Sequence, residues 1–408
     1  MNKIKRDDTT SMGGDGDIIS TEQAKLSITQ HSFQLNSCII PLDKAAGLIL
    51  ANDIYSPLNI PAFPQSGMDG YAITFSSIGS PIAMAGEQAA GTNFHTQVKP
   101  GTAVRIFTGA VVPDGADTVV IQEKSKVLDG FLLIEDDKLK QGDNVRLPGT
   151  EIVKDELALS AGTRLTPPAI GFLAGMGINS VEVIPAPRVS IIITGNELQE
   201  PGTSPEFGKV YESNSFALQA VLKQLHIYDV VVYKSADDIE TLTQILSGAL
   251  TKSDLVLMTG GVSVGDYDFT VKVSESCGVK KIFHKIRQKP GKPIFFGTKK
   301  QILFFGLPGN PASVLTCFYE YVLPALEKMT GQNLQLEIKQ IPISTPYKKP
   351  SGFTHFLKGI FDGTQVHLPA GQESYKLNSF AKANCMVLIP AFVTEVSAGE
   401  LVEIHLLP

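Results

Sequence analysis

No apolar stretch of the chain approaches the roughly 18–20 residues that a membrane-spanning helix needs. The opening "MNKIKRDDTTSMGGDGD" is polar and has no apolar segment of the kind a secretory signal carries. A tail without regular structure over residues 1–17, no membrane association and a cytoplasmic location are therefore expected. Cysteine is scarce. Cys38, Cys277, Cys317 and Cys385 are far apart and none belongs to a CxxC pair, so neither a disulfide framework nor a thiolate zinc site is indicated, and all four read as small buried apolar residues. The seven histidines show neither HxxxH nor HExxH spacing, and an imidazole metal site has no support. Excess positive charge is missing too, since 35 basic residues face 41 acidic ones for a net charge of −6. Nucleic acid is not an expected partner.

What remains is the composition of an ordinary globular protein, 43% hydrophobic and 19% charged, in a chain of 408 residues that exceeds one hydrophobic core. "STEQAKLSITQHSFQL" predicts a short amphipathic helix opened by Ser20 or Thr21, and "LDKAAGLILANDI" after Pro41 predicts a second. Residues 61–145 are rich in Gly and Pro, with short β-branched runs such as "TAVRIFTG" and "DTVVIQE" between turn signals. Residues 146–187 carry one helix after Pro167 and Pro168 and end in a Pro-punctuated linker. We therefore expect a helical stem from 18–60 together with 146–187, interrupted by an inserted β-domain over 61–145.

From Arg188 the rhythm changes to strand–helix alternation. "RVSIIITG", "DVVVY" and "DLVLMTG" are strands, while "SNSFALQAVLKQLH", with Ser213 as a cap, and "DDIETLTQILSGAL" are helices. Unbroken apolar strands in this order predict a parallel sheet covered on both faces, over residues 188–330. A C-terminal β-domain, 331–408, follows. The fold class expected is thus multidomain α/β plus β. In open α/β sheets, ligands bind beyond the carboxyl ends of the strands. Glu197, Asp237 and the turn "GGVSVG" should therefore converge on one crevice. Asn310 as N-cap and Pro311 as first helical residue would offer further unpaired N–H groups to an anion.

The turn admits competing readings. The spacing from Gly260 to Gly265 begins a phosphate-binding P-loop, but Asp266 and Tyr267 stand where Lys and Ser/Thr should follow. "GVSVG" also spells a nucleophile elbow around Ser263. A hydrolase would need an acid and a later His, yet His355, His367 and His405 lie in the predicted C-terminal β-domain and His284 follows too closely. The charges point elsewhere. The glycines bring main-chain N–H groups to an anion, whereas Glu197, Asp237 and Asp268 call for a cation between them and it, the usual surroundings of Mg²⁺. Lys285, Arg287, Lys289 and Lys292 of "KIRQKPGKP" add positive charge for a polyanion.

At this point the motifs are recognisable. "PAFPQSGMDGYAI", "RIFTGAVVPDGAD", "TGNEL", "GGVSVGDYDFT", "KPGKPIFFG" and "GLPGNPAS" resemble, in order and spacing, the MoeA/gephyrin E-domain family, the molybdopterin molybdenumtransferases. The resemblance covers essentially everything after about residue 18. It implies a homodimer with a site shared between subunits, in which Asp69 and Thr108 of one subunit face the α/β domain of the other. It implies insertion of molybdate into adenylylated molybdopterin with Mg²⁺ and release of AMP. Catalytic roles then fall to Asp69, Thr108, Glu197 and Asp268, and metal binding to Glu197, Asp237, Asp268 and Glu151. Substrate binding falls to Gly260, Gly261, Ser263, Gly265, Lys285, Lys289, Lys292, Pro308, Asn310 and Pro311. An upstream molybdopterin adenylyltransferase and downstream apo-molybdoenzymes or cofactor chaperones are the implied partners. The chain departs from the pattern at Glu151, Asn196 and Glu212, where the family has aspartate, and at Phe353 and Lys358, where arginines are common. A carrier or scaffold on the same fold is the other reading that stands.

Overall fold

The computed structural model describes residues 18–92, 96–261 and 269–408. The chain forms two compact units, one from Met1–Cys38, Gly47–Ile49 and Val183–Pro408, the other from Ile39–Ala46 and Leu50–Glu182.

In the second unit a six-stranded sheet runs in the order Thr118–Ile121, Gly70–Ile73, Thr102–Ile106, Ile82–Gln88, Phe131–Ile134, Ser125–Leu128. Its strands alternate in the period-2 manner of a pleated sheet. Ala72, Ile106 and Val119 enter one apolar cluster, while Ile73, Ala103 and Val120 enter another on the opposite face. A helix at Pro167–Gly175 starts where the proline pair predicts, with the Thr166 hydroxyl accepting from the Ala169 amide. The second helix expected after Pro41 does not form. Only a single 3₁₀ turn, Leu42–Lys44, appears, because Gly47 takes a φ of 84° and Ile49–Leu50 goes on as a strand.

The first unit is built on a six-stranded sheet in the order Val230–Ser235, Val189–Thr194, Leu255–Thr259, Ile302–Leu307, Phe295–Lys299, Lys280–His284. The first four strands are parallel, but Phe295–Lys299 runs antiparallel to both of its neighbours, so the expected all-parallel sheet is a mixed one. The two residues Lys300 and Gln301, with Lys300 at a φ of 53°, close a hairpin too short for a crossover helix. Both faces are covered. Ile191, Ile193, Leu257 and Phe305 pack under helices Asn214–Gln224 and Pro311–Cys317. Ile192, Val256, Met258 and Phe304 pack under Ile239–Lys252 and Phe269–Ser276. Each fully buried Ile, Leu or Phe contributes on the order of 1.5–3 kcal/mol.

Helix Thr21–His31 opens with a capping box between Ser20 and Gln23 and sinks Ala24 and Ile28 into the same core. The helical run expected from Pro311 is continuous to Thr330 but contains a π turn, Phe318–Val322. Pro324 accounts for it: without an N–H, proline cannot bond the carbonyl of residue 320, and its ring would clash with it. A six-stranded C-terminal sheet completes the unit, in the order Gln288–Lys289, Thr354–Phe361, Cys385–Ile389, Leu401–Leu406, Ile338–Pro342, with Val366–His367 paired to Thr354–Phe361 off that path. Its first strand is donated by the "KPGKP" segment. Of the cysteines, Cys277, Cys317 and Cys385 are buried and Cys38 is exposed. No helix among the described residues is long and apolar enough to cross a membrane.

Candidate functional site

The parallel strands end side by side, as Thr194 pairs with Ser235, Ile193 with Thr259 and Thr259 with Leu307. Beyond that edge backbone and carboxylates meet. The Thr194 hydroxyl donates to Asp237 Oδ1, and Asn196 and Asp237 exchange two bonds, from the Asn196 amide to Oδ2 at 3.4 Å and from the Asp237 amide to Asn196 Oδ1 at 3.2 Å. Asn196, one of the departures, thus ties the first strand end to the second. Gly195 has a φ of 154°, and a Cβ there would lie 2.8 Å from Glu197 Oε2, so the carboxylate of Glu197 is folded over bare backbone.

Gly260 is held more tightly still. At a φ of 84° its missing Cβ would lie 2.2 Å from the Thr194 carbonyl oxygen. Gly309 of the "LPGNP" turn sits against Gly260, and the Asn214 side-chain amide donates to the Gly309 carbonyl at 2.9 Å. Gly261 follows at a φ of 63° beside the Thr194 methyl. Ser263, Gly265 and Asp268 lie outside the described residues. Pro308 is buried and Pro311 begins the helix as expected, with Asn310 at its N-cap. The Asn310 side chain does not cap the helix; its Nδ2 donates to Ser374 Oγ at 2.9 Å. Nor does Ser213 cap the Asn214 helix. Glu212 does, with its carboxylate taking the Ser215 amide at 2.8 Å and the Ser215 hydroxyl at 2.5 Å. This departure therefore has a local structural role.

The lysines divide. Lys285 continues from the strand Lys280–His284 at a φ of 111°, an uncommon conformation for lysine, held by bonds from the Ile19 amide and to the Ile294 carbonyl. Lys289 and Lys292 instead line a cleft of ≈ 750 Å³ with Pro308, Asn310, Tyr347, His355 and Ser374. Gln288 anchors the loop from below. It is 1% exposed, its Nε2 donates to the Pro290 carbonyl at 2.9 Å, and the Tyr321 hydroxyl donates to its Oε1. Lys292 stands 5.6 Å from the centre of the Phe353 ring, where a cation can rest on the π face. Lys358, only 5% exposed, gives its ammonium protons to the carbonyls of Gly371, Glu373 and Lys376 at 2.6, 3.1 and 3.0 Å. It braces the cleft wall rather than facing a ligand, and burial lowers its pKa.

In the other unit Asp69 and Thr108 are in contact. The Thr108 amide and hydroxyl both donate to Asp69 Oδ1 at 2.7 Å, and these bonds, with help from the Arg105 charge, hold the carboxyl below the usual aspartate range. Gly70 is obligatory behind them, since a Cβ would lie 1.9 Å from the Val120 carbonyl oxygen. Arg105 lies over the rings of Tyr71 and Phe107 at 5.0 and 5.1 Å. Glu151 is an exposed residue of this unit, its amide bonded to the Ile60 carbonyl.

The donor set fits a hard cation such as Mg²⁺. Glu197 is exposed with no hydrogen-bond donor on its carboxylate among the described residues, and Asp237 Oδ2 has only the long bond from Asn196. Among the described residues no three His, Cys, Asp or Glu side chains gather into a metal cluster. Carboxylate oxygens completed by water and substrate oxygens are the usual ligands of Mg²⁺.

Residues 19–177 match the family model described as MoeA N-terminal region (domain I and II). Residues 190–328 match the probable molybdopterin binding domain, and 340–407 the MoeA C-terminal region (domain IV). A molybdopterin molybdenumtransferase of Haemophilus influenzae is 34% identical over 401 residues, covering 95% of this chain and 98% of that protein. The chain belongs to the molybdopterin molybdenumtransferase family. Another relative of that name, from Nostoc sp., is 32% identical over 92% of this chain and 90% of its own. Among solved structures, the molybdopterin biosynthesis moea protein from Pyrococcus horikosii superposes with a TM-score of 0.79 at 30% identity, covering 95% of this chain and 99% of that one. As a molybdopterin molybdenumtransferase family member, the chain is an enzyme of molybdenum cofactor biosynthesis, with the multidomain α/β plus β fold expected.

The sequence assigns no role to Thr194, Gln288, Tyr347 or Ser374, and His355 enters it only as a histidine unsuited to a hydrolase. For Gln288 a signal exists in "IRQK": Ile286 and Gln288 alternate as buried residues, the period of a short strand. Ser374 touches Asn310 across 64 residues of sequence, and no local pattern announces that contact.

Proposed function

We propose that this enzyme inserts molybdate into the dithiolene of adenylylated molybdopterin, cleaving the phosphoanhydride and releasing AMP in a reaction that requires Mg²⁺. The observation that carries this reading is the meeting of carboxylates with bare backbone at one sheet edge, Glu197 folded over Gly195 and Asp237 bonded to Thr194, whose carbonyl lies against Gly260. Main-chain N–H groups at Gly260 and Gly261 suit phosphate oxygens, as would Ser263 and Gly265; at the helix start Pro311 has no N–H and the Ala312 amide donates to the Ser374 carbonyl at 3.1 Å, so Pro308, Asn310 and Pro311 would contribute by shape and by the Asn310 side chain. Lys285, Lys289 and Lys292 supply the positive charge that lets molybdate approach another anion. Glu197, Asp237, Asp268 and Glu151 would hold Mg²⁺, which when bound neutralises charge on the phosphoanhydride oxygens. Asp69 and Thr108 would complete the site from the partner subunit of a homodimer. The division into residues 1–17, a stem of 18–60 with 146–187, 61–145, 188–330 and 331–408 belongs to this proposal. So do the cytoplasmic location, an upstream adenylyltransferase, and delivery to apo-molybdoenzymes or cofactor chaperones.

The test is to mix the protein with adenylylated molybdopterin, Mg²⁺ and molybdate, and to follow AMP release and activation of an apo-molybdoenzyme. Molybdate-dependent AMP that disappears with a chelator and returns with Mg²⁺ is the expected result, with Asp268→Asn impaired and folded. Tight pterin binding without AMP release, from folded dimer, would overturn it in favour of a carrier.

A further inference from the structure

One wall of the cleft that holds Lys289 and Lys292 comes from the C-terminal sheet and has no assigned chemistry. His355 lies in that wall, paired directly with Lys289 in the strand ladder, and is 7% exposed. Its Nδ1 is 2.8 Å from the hydroxyl of Tyr347, which also lines the cleft.

We propose that His355, oriented by Tyr347, is a neutral hydrogen-bond donor to a tetrahedral oxyanion in this cleft. The proposal rests on the transferase reading and adds a binding residue to it. Burial pushes the Tyr347 phenol above its ordinary pKa, so it keeps its proton and can give it in a hydrogen bond to Nδ1. The imidazole proton then sits on Nε2, which has no partner among the described residues and is the ring nitrogen left for the cleft. Burial, with the charges of Lys349 and Lys289, brings the His355 pKa down to about 4, and the ring stays neutral at pH 7. Lys349 is not itself a ligand, since its ammonium donates to the Phe353 and Ala391 carbonyls at 2.8 and 3.3 Å. Glu373, the acidic residue among those lining the cleft, is paired with Lys376 at 3.0 Å. The cleft thus presents two lysine charges, and a neutral donor adds direction to an anion they attract without adding another charge to desolvate.

The experiment measures binding of molybdate and, separately, of AMP to the full-length protein by calorimetry, in wild type and in His355→Leu, His355→Gln and Tyr347→Phe, with AMP release assayed in parallel. His355→Leu should weaken one of the two oxyanions by roughly ten- to hundredfold, and His355→Gln, which keeps an N–H donor, should recover most of it. Tyr347→Phe should cause a smaller loss, because the ring then loses the partner that fixes its tautomer. A loss confined to molybdate assigns the imidazole to the incoming metalate; a loss confined to AMP assigns it to the leaving nucleotide. Unchanged binding in His355→Leu would overturn the proposal, as would an equal loss in the Leu and Gln variants, which would reduce the ring to a spacer. Wild-type molybdate binding without AMP release would end the transferase reading while these comparisons still judged the imidazole.

Discussion

Asp69 accepts two hydrogen bonds from a single residue, the amide and the hydroxyl of Thr108, on one oxygen. The second oxygen keeps its lone pairs, and because the pKa is depressed the charge persists as the pH falls through the ordinary aspartate value of about 3.9. Asp69→Asn retains a carbonyl acceptor for Thr108 but removes that charge. We expect AMP release to fall by roughly a hundredfold or more with an unaltered thermal midpoint; normal turnover in a folded variant would remove Asp69 from the catalytic set. Gly260→Ala should behave in the opposite way, as a folding defect. Its methyl would meet the Thr194 carbonyl, and its φ of 84° is unfavourable for alanine, so urea denaturation should show a loss of about 3 kcal/mol or more.

At the scale of elements, the segment 371–376 owes its shape to the strand beside it. Three of its carbonyls are satisfied by Lys358, and the Gln372 side chain bonds both the amide and the carbonyl of Lys358 at 2.9 Å. Lys358→Met would take the charged donor from all three, leaving Gly371 and Lys376 only the Ser379 hydroxyl and Glu373 only the Lys376 amide, for an expected cost of about 1–3 kcal/mol and new proteolytic cleavage near Ser374; resistance equal to wild type would argue against the bracing role. The same contrast explains what was legible in the sequence. The strands Val189–Thr194 and Leu255–Thr259 announce themselves, since, Ser190 apart, every residue is apolar or β-branched, which suits a strand buried on both faces. The direction of Phe295–Lys299 does not, because an apolar run reads the same either way. Glycines at the site were legible through the turns they make possible. His355 and Ser374 were not, because their partners come from distant strands and turns, and a polar residue in a β segment reads as half of an ordinary alternation.

Across the first unit, one charge cluster, buried at Glu320 and His405, joins three segments that are far apart in the chain. Lys25 of the first helix and His405 of the last strand both bond Glu320 in the π turn, at 2.5 and 2.6 Å, and Glu403 takes the other His405 nitrogen at 2.9 Å. Burial alone would lower the His405 pKa and the Lys25 charge does so slightly, but the bonds and charge from Glu320 and Glu403 outweigh them and raise it. A raised histidine pKa contributes stability that is complete below the unfolded value of about 6.5 and is lost as the pH climbs through the folded value. The difference in thermal midpoint between wild type and His405→Gln should therefore be larger at pH 6 than at pH 9; a difference independent of pH would mean that the imidazole is not charged in the fold.

The short strand Gln288–Lys289 pairs with the C-terminal sheet, although the chain on both sides of it, Lys280–His284 and Phe295–Lys299, belongs to the central one. The border between the two sheets is thus not where the chain passes from one to the other near residue 331. In recombination between relatives, a crossover at that point would join a lysine loop from one parent to the sheet edge of another. Chimeras that carry residues 286–293 together with 338–408 from the same parent would keep the lysines and their backing strand matched, and these are the exchanges in which oxyanion preference should travel intact.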